Sequence, residues 1–390
     1  MQTGASVNRF AGLDHLRALA IIIVFVYHYS VMAGSPPHLY EYGGSFGWTG
    51  VDLFFVLSGF LIGGQLFSRL ARELPISYGE FYFKRFLRIV PAYLFVLALY
   101  YAFPGFKERG ELPLLWRFLT FTQNFGLDLS HHGAFSHAWS LCIEEQFYLI
   151  LPLFIIGLTA IKSGHKAVWL LPALFIFGFA ARLFSWYHFV APHLQNPEHE
   201  GFGKAYYMYI YYPTYTRLDG LLAGVTLAAF YHFQPARWSS ITKHGNRIFL
   251  LGLLLLAAAW WTSHDENQYS FKGAIFGYPM ISLAYGVLVL AALSPSCFLY
   301  RYSSRITSLI ATLSYSIYLT HKQINHLIHL FLEKQGFEKD GYAIFWICVI
   351  ASFLGGWLLH LVVEKPFLRL RDRILARSKK TALQTATSKA

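Results

Sequence analysis

Residues 48–67 read WTGVDLFFVLSGFLIGGQLF, twenty positions with a single charged side chain, Asp52. A hydrocarbon core of about 30 Å is crossed by roughly 20 apolar residues at helical rise, so this stretch reads as a membrane-spanning helix. The same window selects nine further spans, at 14–33, 88–103, 139–161, 167–190, 214–233, 248–263, 274–293, 306–331 and 343–363. Composition agrees: 55% of the 390 residues are hydrophobic and 13% charged, more apolar surface than a water-soluble chain could hide. The expected fold class is all-α, a polytopic bundle of about ten transmembrane helices. A shorter segment at 114–125 carries Arg117, Gln123 and Asn124 and reads as a re-entrant or interfacial piece, because irregular polar backbone at membrane depth must be covered by protein or line a cavity. The first span, with Arg17 and His28 inside it and no convincing cleavage site after it, is expected to be retained rather than removed as a signal peptide.

Charge orients the bundle. With the N-terminus inside, the inward segments hold 21 Lys and Arg and the outward loops 7, leaving Arg17, Arg182, Arg217 and Lys322 in or at the edges of spans. The positive-inside rule then places both termini in the cytoplasm, with acidic outward loops at 196–200 and 264–267. Of the net charge of +12, about half lies in a tail at 369–390, the one strongly basic run, set apart here from a membrane domain at 1–368. That tail reads as an anchor on anionic membrane lipid, not as a nucleic-acid site. Cys142, Cys297 and Cys348 have neither paired nor metal-ligand spacing and are expected to be buried thiols.

Ionisable groups inside spans are costly and mark either pairing or chemistry. Arg17 and His28 stand eleven residues apart, within roughly 20° of one helical face and about 16 Å along its axis. The alternatives are a snorkelling arginine and a hydrogen-bonded core histidine. Asp52 either orients a histidine or caps its helix. The small residues Ser58-Gly59 and Gly63-Gly64 suit close helix packing. Before the third span, Arg85 and Arg88 lie three apart, a spacing that suits the phosphates of a nucleotide-like molecule but equally serves positive-inside anchoring. Pro91 begins that span or bends it. The fourth span opens with Glu144-Glu145, two adjacent carboxylates of which at least one must face a polar cavity. An ion pair is expected between Arg217 and Asp219, and His321-Lys322 lies within the ninth span.

Taken in order, Leu13-Asp14-His15-Leu16-Arg17 with His28, the segments 50–62, 84–93 and 139–149, Arg217-Leu218-Asp219-Gly220, and the segment 313–321 resemble acyltransferase family 3, the integral membrane O-acyltransferases. The resemblance implies transfer of an acyl group, commonly acetyl, from cytoplasmic acyl-coenzyme A to a hydroxyl of a cell-envelope glycan, a lipid-linked glycan or a similar acceptor. It implies a bacterial inner-membrane location, no metal and no nucleic-acid partner. The family's Arg-x10-His pattern falls on Arg17 and His28, its basic pattern on Arg85 and Arg88, and its acidic pattern on Glu144 or Glu145. Arg17, Arg85 and Arg88 are thus expected to bind the donor. His28 acts as general base or as acyl-carrying nucleophile, the base being preferred, with Glu144 or Glu145 orienting it and Asp52 competing for that task. Because the chain ends at its membrane domain, a single-component transferase is expected, unless a separate protein completes the transfer. The rival class is a carrier or flippase for a lipid-linked sugar.

Overall fold

The computed structural model describes residues 11–32, 36, 38–41, 44–160, 164–195, 201–264 and 269–387. Among them the regular structure is helical throughout and contains no strand. The α-helices are α1 (Ala11–Met32), α2 (Gly50–Leu70), α3 (Tyr78–Ala102), α4 (Leu115–Leu119), α5 (Trp139–Ala160), α6 (Gly164–Ser185), α7 (Phe202–Tyr206), α8 (Asp219–Phe233), α9 (Pro235–Ile241), α10 (Gly245–His264), α11 (Tyr278–Ala292), α12 (Phe298–Arg301), α13 (Arg305–Lys334), α14 (Tyr342–Leu359) and α15 (Lys365–Thr387). The protein is an all-α polytopic membrane protein. Of the acidic outward loops, residues 196–200 and 265–267 lie outside the described residues, as do 388–390 of the tail.

Eight helical stretches among the described residues are long and apolar enough to cross a bilayer, and they coincide with eight of the ten predicted spans. The other two differ for physical reasons. The span read at 214–233 opens as a tight turn, Thr214–Thr216, and becomes helical only at Asp219, leaving a helix of 15 residues. The span read at 306–331 is the 30-residue α13, whose His321, Lys322, Gln323 and Asn325 are buried against protein rather than lipid. The segment at 114–125 is indeed irregular: the five-residue α4, then Phe121 at φ 52°, then the buried Gln123 and Asn124. Helix α3 starts ten residues before the predicted boundary. Ser77 accepts a hydrogen bond from the Glu80 backbone N–H and Glu80 pairs with Lys84 at 2.6 Å, so the basic segment is the first part of the helix and Pro91 lies in its interior. All three cysteines are buried free thiols.

The described residues form two compact units. Those of Met1–His28, Tyr40–Leu74 and Arg109–Thr312 make the first. Its centre is the packing of α2 on α8, where each helix gives up side chains to admit the other's backbone. A Cβ on Gly59 would strike the carbonyl of Leu221, and one on Gly224 would strike the carbonyl of Val56. Of the small residues read in the second span, Gly59 and Gly63 thus serve packing. Gly59→Ala is expected to destabilise the protein by about 1–3 kcal/mol through overpacking against backbone that cannot rotate away, read as a lower Tm in detergent.

The second unit comprises the described residues of Tyr29–Leu39, Pro75–Glu108 and Leu313–Ala390. Its interior satisfies the polar face of α13. Lys322 pairs with the buried Glu108 at 3.2 Å, Tyr100 donates to the same carboxylate at 2.7 Å, and Ser352 donates to Asn325 at 3.0 Å. Glu364 accepts from Ser316 at 2.8 Å and lies 2.8 Å from His360 Nδ1, on a π-helical turn at His360–Glu364. A charge at membrane depth survives by such pairing, which is why α13 can be polar and still sit within a membrane protein.

Candidate active site

Helix α1 delivers Arg17 and His28 to the first unit, both half-buried. The turn Gly44–Thr49 and the start of α2 press on α1 just beneath His28: a Cβ on Gly47 would meet the Ile23 carbonyl and Tyr27, and one on Gly50 would meet Ile23 and Val24. Tyr27 and His28 hold their rings 5.6 Å apart. On the other side, the His28 ring lies edge-on to His137, with centroids 6.1 Å apart. His137 is 2% exposed and stands on the single turn Ser136–Ala138 that leads into α5. Sequence reasoning passed over it, since a lone histidine outside the predicted span carries no periodic signal.

One turn into α5, Glu144 and Glu145 are half-buried. Ser58 of α2 donates to Glu144 Oε1 at 2.8 Å, so that carboxylate is tied to the helix that also carries Asp52. Asp52 itself is committed elsewhere. Arg217 Nη2 donates to Asp52 Oδ1 at 2.8 Å, with both side chains almost wholly buried. The guanidinium lies 4.0 Å from the Tyr278 ring centroid, 4.7 Å from Tyr211 and 5.2 Å from Trp139, an aromatic cage that takes the place of water around the cation.

The expected pair Arg217–Asp219 is therefore exchanged. Residues two apart at a helix start point to different sides. Asp219 turns to α6, where Arg182 Nη2 donates to its Oδ1 at 3.2 Å and Arg182 Nη1 donates to the Thr216 carbonyl at 2.9 Å. Two buried ion pairs thus bind the segment leading into α8 to α2 and the start of α8 to α6.

Beside the cage lies a neutral network that only the fold assembles. Asn124 donates to the Tyr212 carbonyl at 3.1 Å and to Thr214 at 2.9 Å; Thr214 donates to Gln146 at 2.6 Å; Gln146 donates to the Phe121 carbonyl at 2.6 Å and to Asn124 at 3.1 Å. It joins the irregular segment after α4 to α5, satisfying backbone groups that would otherwise be orphaned at depth. Outside the spans, Lys204 holds Asp128 at 2.7 Å, and Ser130 and His131 add further contacts. Burial works to raise the Asp128 pKa, but these partners outweigh it and hold the carboxyl well below its usual range.

Of the predicted site residues, Arg17, His28, Asp52, Glu144 and Glu145 belong to the first unit, whereas Arg85 and Arg88, half-buried on α3, belong to the second. Within the first unit a half-buried imidazole, a second imidazole and a hydroxyl-bonded carboxylate occur on neighbouring elements, groups that can accept, orient and return a proton. No three His, Cys, Asp or Glu side chains among the described residues are grouped to hold a metal ion.

Residues 10–361 match the family described as an acyltransferase domain. The chain is 29% identical over 333 residues to O-acetyltransferase OatA of Staphylococcus aureus strain NCTC 8325 / PS 47, covering 80% of this chain and 50% of that protein. A second S. aureus protein, from strain COL and provisionally named an O-acetyltransferase, is 24% identical over 378 residues, covering 91% of this chain and 57% of its own length. The chain thus spans about half the length of the curated relatives it matches. No solved structure matches it.

Proposed function

Because this chain belongs to acyltransferase family 3, we propose that it is a membrane-embedded O-acyltransferase that moves an acyl group, acetyl in the first instance, from cytoplasmic acyl-coenzyme A to a hydroxyl of an envelope glycan or lipid-linked glycan. The observation that carries the reading is His28: half-buried rather than sealed, eleven residues beyond Arg17 on α1, and backed by a second imidazole 6.1 Å away. In this reading residues 1–368 are the transferase domain of a bacterial inner-membrane protein with both termini cytoplasmic, and residues 369–390 rest on anionic lipid.

The donor phosphates are assigned to Arg85 and Arg88, with Arg17 as a further candidate, and the thioester carbonyl to His28. His28 takes the proton of the acceptor hydroxyl as its oxygen attacks that carbonyl; the C–S bond then breaks and the coenzyme thiolate recovers the proton. Glu144 or Glu145 stabilises the imidazolium formed on the way, as the acid of a catalytic triad does. Asp52 remains the rival for that task, although its Oδ1 is already engaged by Arg217.

The test is transfer of radiolabelled acetyl from acetyl-coenzyme A to an envelope-glycan pool by protein in liposomes. Labelled glycan formed in step with free coenzyme A supports the enzyme. Movement of a lipid-linked sugar without coenzyme A release would establish the carrier reading instead. Within the same assay, Arg85→Ala and Arg88→Ala are each expected to raise KM for acetyl-coenzyme A about 10- to 100-fold, the loss of one or two charged hydrogen bonds.

A further inference from the structure

His137 has no part in the mechanism above, yet its surroundings are built with care. The residue before its turn, Phe135, has φ 54°, a left-handed conformation that costs a bulky L side chain about 1–3 kcal/mol and persists only where the surroundings impose it. That backbone turns the fully buried Phe135 ring edge-on to His137 at 5.2 Å. Phe118 of α4, also 0% exposed, stacks behind Phe135 at 5.9 Å. With His28 at 6.1 Å from His137, the four rings are linked in succession from α4 to α1, each spacing within the range of attractive aromatic contact.

We propose that His137 is a positioning residue whose ring, pinned by Phe118 and Phe135, fixes the plane of the His28 imidazole. The inference rests on the reading of His28 as the base. The torsion that rotates an imidazole about its stem is broad, and a ring packed edge-on against a buried neighbour is limited to fewer of those orientations. Misplacement of a reacting group by about 1 Å costs on the order of a hundredfold in rate, so a fixed ring plane is worth the strain at Phe135.

The experiment compares full-chain His137→Ala, His137→Phe and Phe135→Ala in liposomes, each first checked by size-exclusion profile. One readout is acetyl transfer; the other is the rate at which diethylpyrocarbonate modifies His28, followed by mass spectrometry of its peptide. His137→Ala is expected to lower kcat about 10- to 100-fold with KM for acetyl-coenzyme A unchanged, and to alter the labelling rate of His28. His137→Phe keeps a ring in the series and is expected to restore most of both. Phe135→Ala, which loosens the series from behind, is expected to lower kcat in the same direction by less. A folded His137→Ala with wild-type kcat and labelling overturns the proposal, and so does a folded His137→Phe as slow as the alanine variant. Undiminished transfer by His28→Ala would instead defeat the base reading, while the labelling rates would still report whether His137 orients the ring.

Discussion

Replacing His28 by alanine is expected to lower kcat for acetyl transfer by about 10²–10⁴-fold, with little change in KM for the donor, because a general base acts in the transition state and not in ground-state binding. The variant should fold: His28 is half-buried on a helix already held by Gly47 and Gly50 packing, and alanine is the best helix former. His28→Ala that retains wild-type kcat would remove His28 from the chemistry. If His28 instead carried the acyl group, the wild type would follow ping-pong kinetics and trap a labelled acyl-histidine in the absence of acceptor, so steady-state patterns separate the two routes.

The largest effect on stability is expected at Arg217. Arg217→Met leaves the Asp52 carboxylate 2% exposed with no cation beside it, and breaking a buried pair from one side costs about 3–5 kcal/mol. Thermal unfolding in detergent should show the loss as a marked fall in Tm. The converse change is milder. Asp52→Leu with Arg217→Met removes both charges and leaves an apolar pair among Trp139, Tyr211 and Tyr278, so the double variant is expected to recover most of the loss. Full additivity of the two single losses would mean that the pair contributes no coupling. Activity of the double variant also bears on function: retained transfer would exclude Asp52 as the residue that orients His28 and favour the glutamates of α5.

Membership of a family whose curated relatives are about twice this length bears on how such variants are read. Under the proposed reading, acetyl arriving on glycan reports donor and acceptor use together, whereas the labelling rate of His28 reports on that imidazole alone. With both measured, unchanged labelling of His28 alongside lost glycan acetylation places a defect in donor or acceptor use and not in the setting of that imidazole.

What was legible in the residues themselves is what depends on neighbours in the chain. Hydropathy over about twenty positions is a local quantity, so the helical class and the places of eight of the spans emerged, although the bounds read at 88, 248 and 363 fall about ten to fifteen residues short of the helical stretches. The spacing of Arg17 and His28, or of Arg85 and Arg88, is likewise local, and a helix preserves it. The same locality explains the errors. The Ser77 cap carried α3 ten residues further back than hydropathy alone suggested, and α13 is polar because protein, not lipid, covers it.

Partnership is the quantity that distance along the chain conceals. Arg217 has Asp219 two residues away and pairs with Asp52, 165 residues distant, because the direction in which a side chain leaves its helix outweighs proximity in sequence. Arg182 and Asp219, the Asn124–Gln146–Thr214 network and the series of rings through His137 arise in the same way. The sequence by itself determined a membrane-spanning helical protein of this family and the shared helix faces of Arg17 with His28 and of Arg85 with Arg88. Only the tertiary structure decided which charges cancel one another and which imidazole backs His28, since in a low-dielectric interior each polar group must find the partner that packing brings to it.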